Sequence, residues 1–142
     1  SVLGLIALRF RGAYNASKYA IEGLCDTLRL ELDKEDIHVI TINTGPVRSD
    51  FRKNATKKYF EHIDSIESVF KEEYKKELLP YEGKKKNDPF TKDSNVVISN
   101  IIHALESKRP KPRYYNTSAT HILGGLKRLL PTAIMDKILR KV

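Results

Sequence analysis

Three residues near the start of the chain have the types and spacing needed for proton transfer at an alcohol oxygen. Ser1 precedes Tyr14 by thirteen positions, and Lys18 follows Tyr14 by four. A phenol can give a proton to a carbonyl oxygen or take one from an alcohol, although its unperturbed pKa is about 10. A nearby ammonium favours the phenolate, and a serine hydroxyl can hold the substrate oxygen. The three residues therefore point to interconversion of an alcohol and a carbonyl.

The spacing alone is weak, because Ser68, Tyr81 and Lys85 repeat it. Pro80 and Gly83 lie around Tyr81, so we expect no continuous helix to align Tyr81 with Lys85. We interpret this second set as a coincidence.

The first set has a setting that would position it. No proline interrupts residues 14–32, and an apolar stripe at helical spacing predicts a helix whose solvated positions are the charged ones. The stripe comprises Ile21, Leu24, Leu28 and Leu32, and the charged positions are Glu22, Asp26, Arg29 and Asp33. A β-branched segment, 38–43, predicts a buried strand that ends at Thr44-Gly45-Pro46. Helix, strand and turn form the second half of a βαβ unit, in which ligands lie at the carboxyl ends of the strands.

Ser1, the segment 14–18 (Tyr-Asn-Ala-Ser-Lys) and the segment 43–50 (Asn-Thr-Gly-Pro-Val-Arg-Ser-Asp) resemble the short-chain dehydrogenase/reductase family. The resemblance is strong over residues 1–52 and weak over 93–116. It implies an α/β fold with a Rossmann-like, doubly wound parallel sheet, and an NAD(P)-dependent oxidoreductase that acts on CH–OH groups.

The resemblance also implies roles for individual residues. Tyr14 would be the general acid/base, Lys18 would lower its pKa and hold the nicotinamide ribose, and Ser1 would orient the substrate carbonyl. Contacts with NAD or NADP would fall on Tyr14, Lys18, Thr44, Gly45, Pro46, Val47 and Ser49. The family usually has proline where this chain has Thr44, and threonine where it has Ser49.

The glycine-rich turn with which such a fold binds its dinucleotide is not found in the sequence. We therefore expect the chain to be the C-terminal part of a longer protein, lacking the N-terminal strands and inactive alone. Residues 1–116 would form the C-terminal half of the Rossmann-type domain, with 52–92 as its variable substrate region. Residues 117–142 would be a helical extension. The choice between NADH and NADPH is not decided by these residues.

The variable region predicts one or two helices over 57–79, with Tyr59, Ile63, Ile66, Phe70 and Tyr74 on the buried side. Phe51 and Phe60, close to the turn, are candidates for contact with the substrate, for which a lipophilic alcohol or ketone is our hypothesis. The run Lys84-Lys85-Lys86 lies in an expected solvated loop. A helix over 95–107, capped by Asp93 or Ser94, would present Val97, Ile98, Ile101, Ile102 and Leu105. A short final strand is expected at 113–115.

The net charge of +8 allows anionic partners, but glutamates alternate with the lysines of 53–92 and no nucleic-acid motif accompanies them. The single cysteine, Cys25, excludes a disulfide framework and indicates a reducing, cytoplasmic setting. His62 and His103 lack partners at metal-ligand spacing, so we expect no metal site. By resemblance, a homodimer or tetramer is expected.

The tail is basic and amphipathic, and Pro131 divides it. It would pack on its own domain or a partner subunit, or residues 126–142 would contact a membrane surface. Two alternatives to an enzyme therefore stay open. One is a non-catalytic relative, against which the retention of Ser1, Tyr14 and Lys18 argues, and the other is a membrane- or partner-binding module.

Overall fold

The computed structural model describes residues 1–63, 67–78 and 90–141, which form two compact units. The first unit comprises Ser1–Val47 and Phe90–Val142, and the second comprises Arg48–Pro89.

The first unit contains a helix and a short parallel sheet, as predicted from the periodicity. Helix α1 spans Gly12–Glu31, close to the expected 14–32. Strand β1, Thr41–Asn43, pairs in parallel with strand β2, Arg113–Tyr115, and Ile42 lies opposite Tyr114. Strand β1 is shorter than the predicted 38–43 because β2, with which it pairs, offers only three residues. The parallel pairing is that of an α/β fold, and β2 is confirmed.

The side of α1 that faces the sheet is not the one that the sequence predicted. Glu22 and Asp26 join Arg113 of β2 in ion pairs, whereas Ile21 and Leu24 are 48% and 59% exposed. The expected solvated position at 22 is therefore wrong, since the Glu22 side chain is 12% exposed, whereas the Asp26 side chain is 44% exposed. The physical reason is that Arg113 supplies the opposite charge, so the carboxylates can face the strands without an unpaired buried charge.

Helix α4, Asn95–Glu106, confirms the helix expected there. Ser94, one of the two predicted caps, is the N-cap residue, but its side chain makes no capping hydrogen bond. The carboxylate of Asp93, one residue earlier, accepts the Asn95 N–H at 3.1 Å. Val97 is half-buried. The other predicted core residues of α4 are at least 41% exposed: Ile98, Ile101, Ile102 and Leu105.

The tail forms two helices, α5 (Ser118–Leu129) and α6 (Thr132–Leu139), separated at Pro131 as its position predicted. Met135 of α6 is fully buried with Leu3 and Ile6 from the start of the chain. Other tail residues pack against these three: Leu123, Leu126, Leu130 and Leu139. Much of the apolar side of the tail is thus core of the first unit.

The second unit contains helices α2 (Phe51–His62) and α3 (Lys71–Leu78), so the first helix begins before the predicted residue 57. The Tyr59 ring lies 5.6 Å from that of Phe60 and 5.7 Å from that of Tyr74, between centroids. Tyr59 and Tyr74 are half-buried, but Ile63 and Phe70 are about half exposed, so their predicted burial is wrong. Predictions that lie outside the described residues concern Ile66, Tyr81 and Lys84-Lys85-Lys86.

Candidate functional site

Tyr14 and Lys18 lie one turn apart on α1, which brings their side chains together. The Lys18 Nζ atom is 5.2 Å from the centroid of the Tyr14 ring. Both side chains are half-buried, and Tyr14 packs against the core formed by Leu3, Ile6 and Met135. The spacing of four residues on a helix produces this juxtaposition, as the sequence predicted.

Ser1 directly precedes the short 3₁₀ helix Val2–Gly4, which packs against the same helix. The Ser1 Oγ atom accepts the Leu3 N–H at 3.2 Å and so caps this helix. A Cβ on Gly4 would lie 3.0 Å from the Lys18 carbonyl oxygen, so the backbones approach closely there. A side chain at position 4 would therefore require the two backbones to move slightly apart.

The segment that follows Ser1 is also joined to the end of β1. The Val2 N–H donates to the Thr44 carbonyl oxygen at 3.0 Å. The 3₁₀ helix therefore contacts both α1, with Tyr14 and Lys18, and the first residue after β1. The first unit thus contains the candidate catalytic residues and the Thr44-Gly45 turn on connected elements.

The turn after β1 is closely packed by residues that precede and open α5. A Cβ on Gly45 would overlap Thr117 Oγ1 and would lie 2.6 Å from Thr120 Oγ1. Thr117 and Thr120 are 2% and 0% exposed, and their hydroxyls hydrogen-bond to each other at 3.0 Å. Glycine at 45 is therefore a packing requirement of this structure.

The next two residues of the turn are held by the segment that leads into α4. The Pro46 carbonyl oxygen accepts the Lys92 N–H at 3.0 Å, and Val47 forms an isolated parallel bridge with Lys92. The four predicted contacts at Thr44, Gly45, Pro46 and Val47 are thus on a backbone that is fixed at both ends.

An ion-pair network fixes α1 to the strands. Glu22 Oε1 accepts from Asn43 Nδ2 at 2.6 Å, and Glu22 Oε2 accepts from Arg113 Nε at 3.2 Å. The Arg113 Nη2 atom donates to both oxygens of Asp26 at 2.6 Å. Arg29 also donates to Asp26, at 2.8 Å. These bonds set the position of the helix that carries Tyr14 and Lys18.

The network changes the protonation behaviour of its members. The hydrogen bond from Arg113 lowers the pKa of Asp26, against a smaller opposing effect of partial burial. Partial burial lowers the pKa of Arg113, but its bonds to Asp26 and Glu22 outweigh this and raise the pKa overall. The charged forms of both partners are therefore favoured.

Sequence reasoning missed Glu22, Asp26 and Arg113 as positioning residues. Glu22 and Asp26 are four residues apart, so they lie on one face of the helix. Arg113 stands in an otherwise aromatic strand, Arg-Tyr-Tyr. The two acids on one helix face and the single arginine in the strand could together have indicated the contact between α1 and β2.

The remaining predicted site residues belong to the second unit. Ser49 Oγ accepts the Phe51 N–H at 3.4 Å, close to the start of α2. Phe51 and Phe60 are each 58% exposed. Their contact with a substrate stays a prediction.

The described part of the chain offers neither a cluster of metal ligands nor a membrane-spanning helix. Residues 1–63, 67–78 and 90–141 contain no group of three or more His, Cys, Asp or Glu side chains that could hold a metal ion. Nor does any helix in these ranges combine the length and the hydrophobicity that crossing a membrane requires.

Known proteins match the chain from end to end. The short chain dehydrogenase family matches residues 1–59. An uncharacterised oxidoreductase, YbbO, of Escherichia coli K12 is 39% identical over 140 residues, which are 99% of this chain and 46% of that protein. A probable short-chain type dehydrogenase/reductase, VdlC, of Helicobacter pylori is 32% identical over 142 residues, 100% of this chain and 50% of that protein. Mouse estradiol 17-beta-dehydrogenase 2 is 25% identical over 151 residues, 99% of this chain and 39% of that protein. The chain thus spans about half the length of the relatives it matches.

Proposed function

The chain belongs to the short-chain dehydrogenase family, and we propose that it is the C-terminal half of an NAD(P)-dependent oxidoreductase. The reaction would interconvert an alcohol and a carbonyl by hydride transfer. The observation that carries this proposal is the Lys18 ammonium over the Tyr14 ring, on a helix connected through Val2 to the Thr44 end of β1. The complete protein, meaning this chain with the upstream sequence that the proposal requires, would be the active species.

Tyr14 is assigned the proton transfer. In reduction, the phenol gives its proton to the carbonyl oxygen as the hydride arrives at carbon, and in oxidation the phenolate takes the proton of the alcohol. The Lys18 ammonium lies beside the phenol, 5.2 Å from the centroid of its ring. Ser1 holds the substrate oxygen through its hydroxyl and so favours the charge that develops there.

The residues around the turn suit a nicotinamide nucleotide. An ammonium at Lys18 and hydroxyls at Tyr14, Thr44 and Ser49 are the donors that a ribose and a carboxamide need. The nucleotide, when bound, would supply or accept the hydride. Thr44 to Val47 and Ser49 would fix its nicotinamide end, and both NAD and NADP remain within the proposal.

A lipophilic alcohol or ketone is the proposed substrate. The support is the pair of exposed aromatic side chains, Phe51 and Phe60, in the second unit. One relative is named as an estradiol dehydrogenase, which is a fact about that protein and makes a bulky apolar substrate worth testing here.

A homodimer or tetramer is also part of the proposal. Its support is the apolar surface on two helices, Ile21 and Leu24 of α1 and Ile101 and Ile102 of α4. Analytical ultracentrifugation of the complete protein would test it, and a monomer at micromolar concentration would contradict it.

The alternative of a membrane-binding module rests on the apolar residues of 126–142 that the core leaves exposed. Leu129 and Ile134 are 82% and 47% exposed, and Lys127 and Arg128 directly precede Leu129 in the sequence. A cytoplasmic protein that binds membranes peripherally would sediment with phosphatidylserine vesicles at low salt and be released at high salt. Absence from the vesicle pellet at low salt would end this alternative.

The proposed reaction is tested by following the absorbance of reduced nicotinamide. The complete protein would be mixed with NADH or NADPH and a series of ketones of increasing apolar size. We expect ketone-dependent oxidation of at least one nucleotide, with a lower KM for the larger ketones. Phe60→Ala should raise the KM for large ketones more than for small ones. The absence of oxidation with either nucleotide, although the nucleotide binds, would favour a non-catalytic relative.

A further inference from the structure

A chain of two side-chain amides, one half-buried (Asn100) and one buried (Asn116), ends on the hydroxyl of Thr44. Asn100 of α4 donates from Nδ2 to Asn116 Oδ1 at 2.5 Å, and Asn116 donates from Nδ2 to Thr44 Oγ1 at 3.0 Å. Asn116 is only 7% exposed and directly follows β2. The proposed proton transfer uses neither asparagine.

The order of donors gives this chain a direction. Because Asn116 Oδ1 accepts from Asn100, its Nδ2 is turned towards Thr44. The backbone N–H of Asn116 donates separately to the Asn43 carbonyl oxygen at 3.2 Å. The backbone of Asn116 is therefore bound to Asn43, and its side chain is bound to the next residue, Thr44.

Thr44 is the residue at which two parts of the site meet. Its carbonyl oxygen accepts the Val2 N–H, next to Ser1, and its hydroxyl accepts from Asn116. Threonine leaves the backbone φ angle free, whereas a proline ring would fix it. The hydrogen bond from Asn116 to the Thr44 hydroxyl therefore restrains a turn residue whose own backbone is less restricted than that of a proline.

We propose that Asn116, oriented by Asn100, is a positioning residue. It fixes the Thr44-Gly45 turn in place and thereby the site that binds the nicotinamide end of the nucleotide. This inference rests on the proposed function. Neither asparagine touches the reacting atoms. Loss of the amide chain would remove the side-chain restraint on Thr44, so nucleotide affinity would fall while proton transfer by Tyr14 continues in the nucleotide complex.

The test compares substitutions that remove or keep single hydrogen bonds in the complete protein. Thr44→Val keeps the shape and removes the hydroxyl, and Thr44→Ser keeps the hydroxyl. Asn116→Ala should weaken nucleotide binding about tenfold, the scale of one hydrogen bond, with kcat little changed, and Thr44→Val should weaken nucleotide binding at least as much. Thr44→Ser should bind nearly as the unsubstituted protein does. Asn95→Ala, at the exposed start of α4, is the matched control and should have no effect.

The double variant Asn116→Ala/Thr44→Val separates positioning from general stability. If the hydroxyl contact is what matters, the double variant should bind no more weakly than Thr44→Val alone. Additive losses would overturn the proposal. So would a lower thermal midpoint for Asn116→Ala with unchanged nucleotide affinity, because that result describes a structural role alone.

A second readout does not depend on the proposed function. Amide exchange at Val2, measured by NMR without nucleotide, should be faster in Asn116→Ala and in Thr44→Val, because the Thr44 carbonyl would be less well fixed. Faster exchange in a protein that binds no nucleotide would refute the proposed function but uphold the positioning of the turn. Unchanged exchange would overturn the positioning itself.

Discussion

The two compact units differ in how much of each is buried. In the part of the chain that the structure describes, all buried residues belong to the first unit, and they include polar ones such as Asn43, Thr120 and Asn116. Helix α2 of the second unit has no buried residue and exposes Phe51 and Phe60. The candidate chemistry lies in the first unit, and the candidate substrate contacts lie in the second. Proton transfer requires a fixed geometry. The residues that transfer the proton therefore need a packed scaffold more than residues that only contact the substrate do.

The largest expected effect is on turnover, through Lys18 in the first unit. Lys18→Met removes the ammonium over the Tyr14 ring, and we expect kcat to fall at least about 100-fold. Lys34→Met, at an exposed position after the same helix, should leave kcat unchanged. Steady-state kinetics of the complete protein give kcat for both variants. An equal fall in kcat would show that the loss of any positive charge, and not the position of Lys18, lowers turnover.

The next effect contrasts one ion pair from each unit. Arg113→Met leaves Glu22, which is 12% exposed, without its charged partner, and should lower the free energy of unfolding by about 2–3 kcal/mol. Lys58→Met in the second unit breaks an exposed pair with Glu61 and should cost less than about 0.5 kcal/mol. Urea denaturation gives both values. Similar costs would mean that the network does not fix α1 to the strands.

Two glycine substitutions test the packing of the turn. Gly45→Ala places a methyl group against Thr117 and Thr120 and should destabilise the protein by about 1–2 kcal/mol. Gly23→Ala, at a helical position with no neighbour within 4 Å, should stabilise it by about 0.5–1 kcal/mol. Thermal unfolding would show opposite shifts. A neutral Gly45→Ala would contradict the close approach.

The smallest effect is on pH dependence, through Asp26. Its folded-state pKa is lowered, so its contribution is fully present above the unfolded value of about 3.9 and is lost as pH falls through the lower folded value. Asp26→Asn should therefore lose less stability than the unsubstituted protein on acidification below about pH 4. Urea midpoints at several pH values test this. Equal losses of stability in both proteins would show that the contact with Arg113 does not stabilise the charged form of Asp26.

The local elements of the first unit followed from the sequence because their signals are local. The extent of α1 follows from a proline-free periodic segment, and the Tyr14–Lys18 contact follows from helical spacing. The turn after β1 follows from Gly45-Pro46. The three residues of β2 were also predicted, although a strand that short carries little pattern of its own.

The orientation of α1 did not follow, because it depends on a residue 87 positions away. Arg113 provides a positive charge on the strand, and this draws Glu22 to the side of α1 that faces the strands while Ile21 remains exposed. The amide chain from Asn100 to Thr44 was missed for the same reason, since single asparagines have no periodicity. In the second unit, Ile63 and Phe70 satisfied an apolar pattern but remain exposed, so the pattern there did not indicate burial.

The central claim, that Tyr14 transfers the proton, is tested most directly by comparing two tyrosines of the same helix. Tyr14→Phe and Tyr19→Phe would be made in the complete protein, and kcat and nucleotide affinity measured for each. We predict that Tyr14→Phe reduces kcat by at least about 100-fold with nucleotide binding nearly intact, and that Tyr19→Phe changes neither. Turnover by Tyr14→Phe at the rate of the unsubstituted protein would contradict the mechanism.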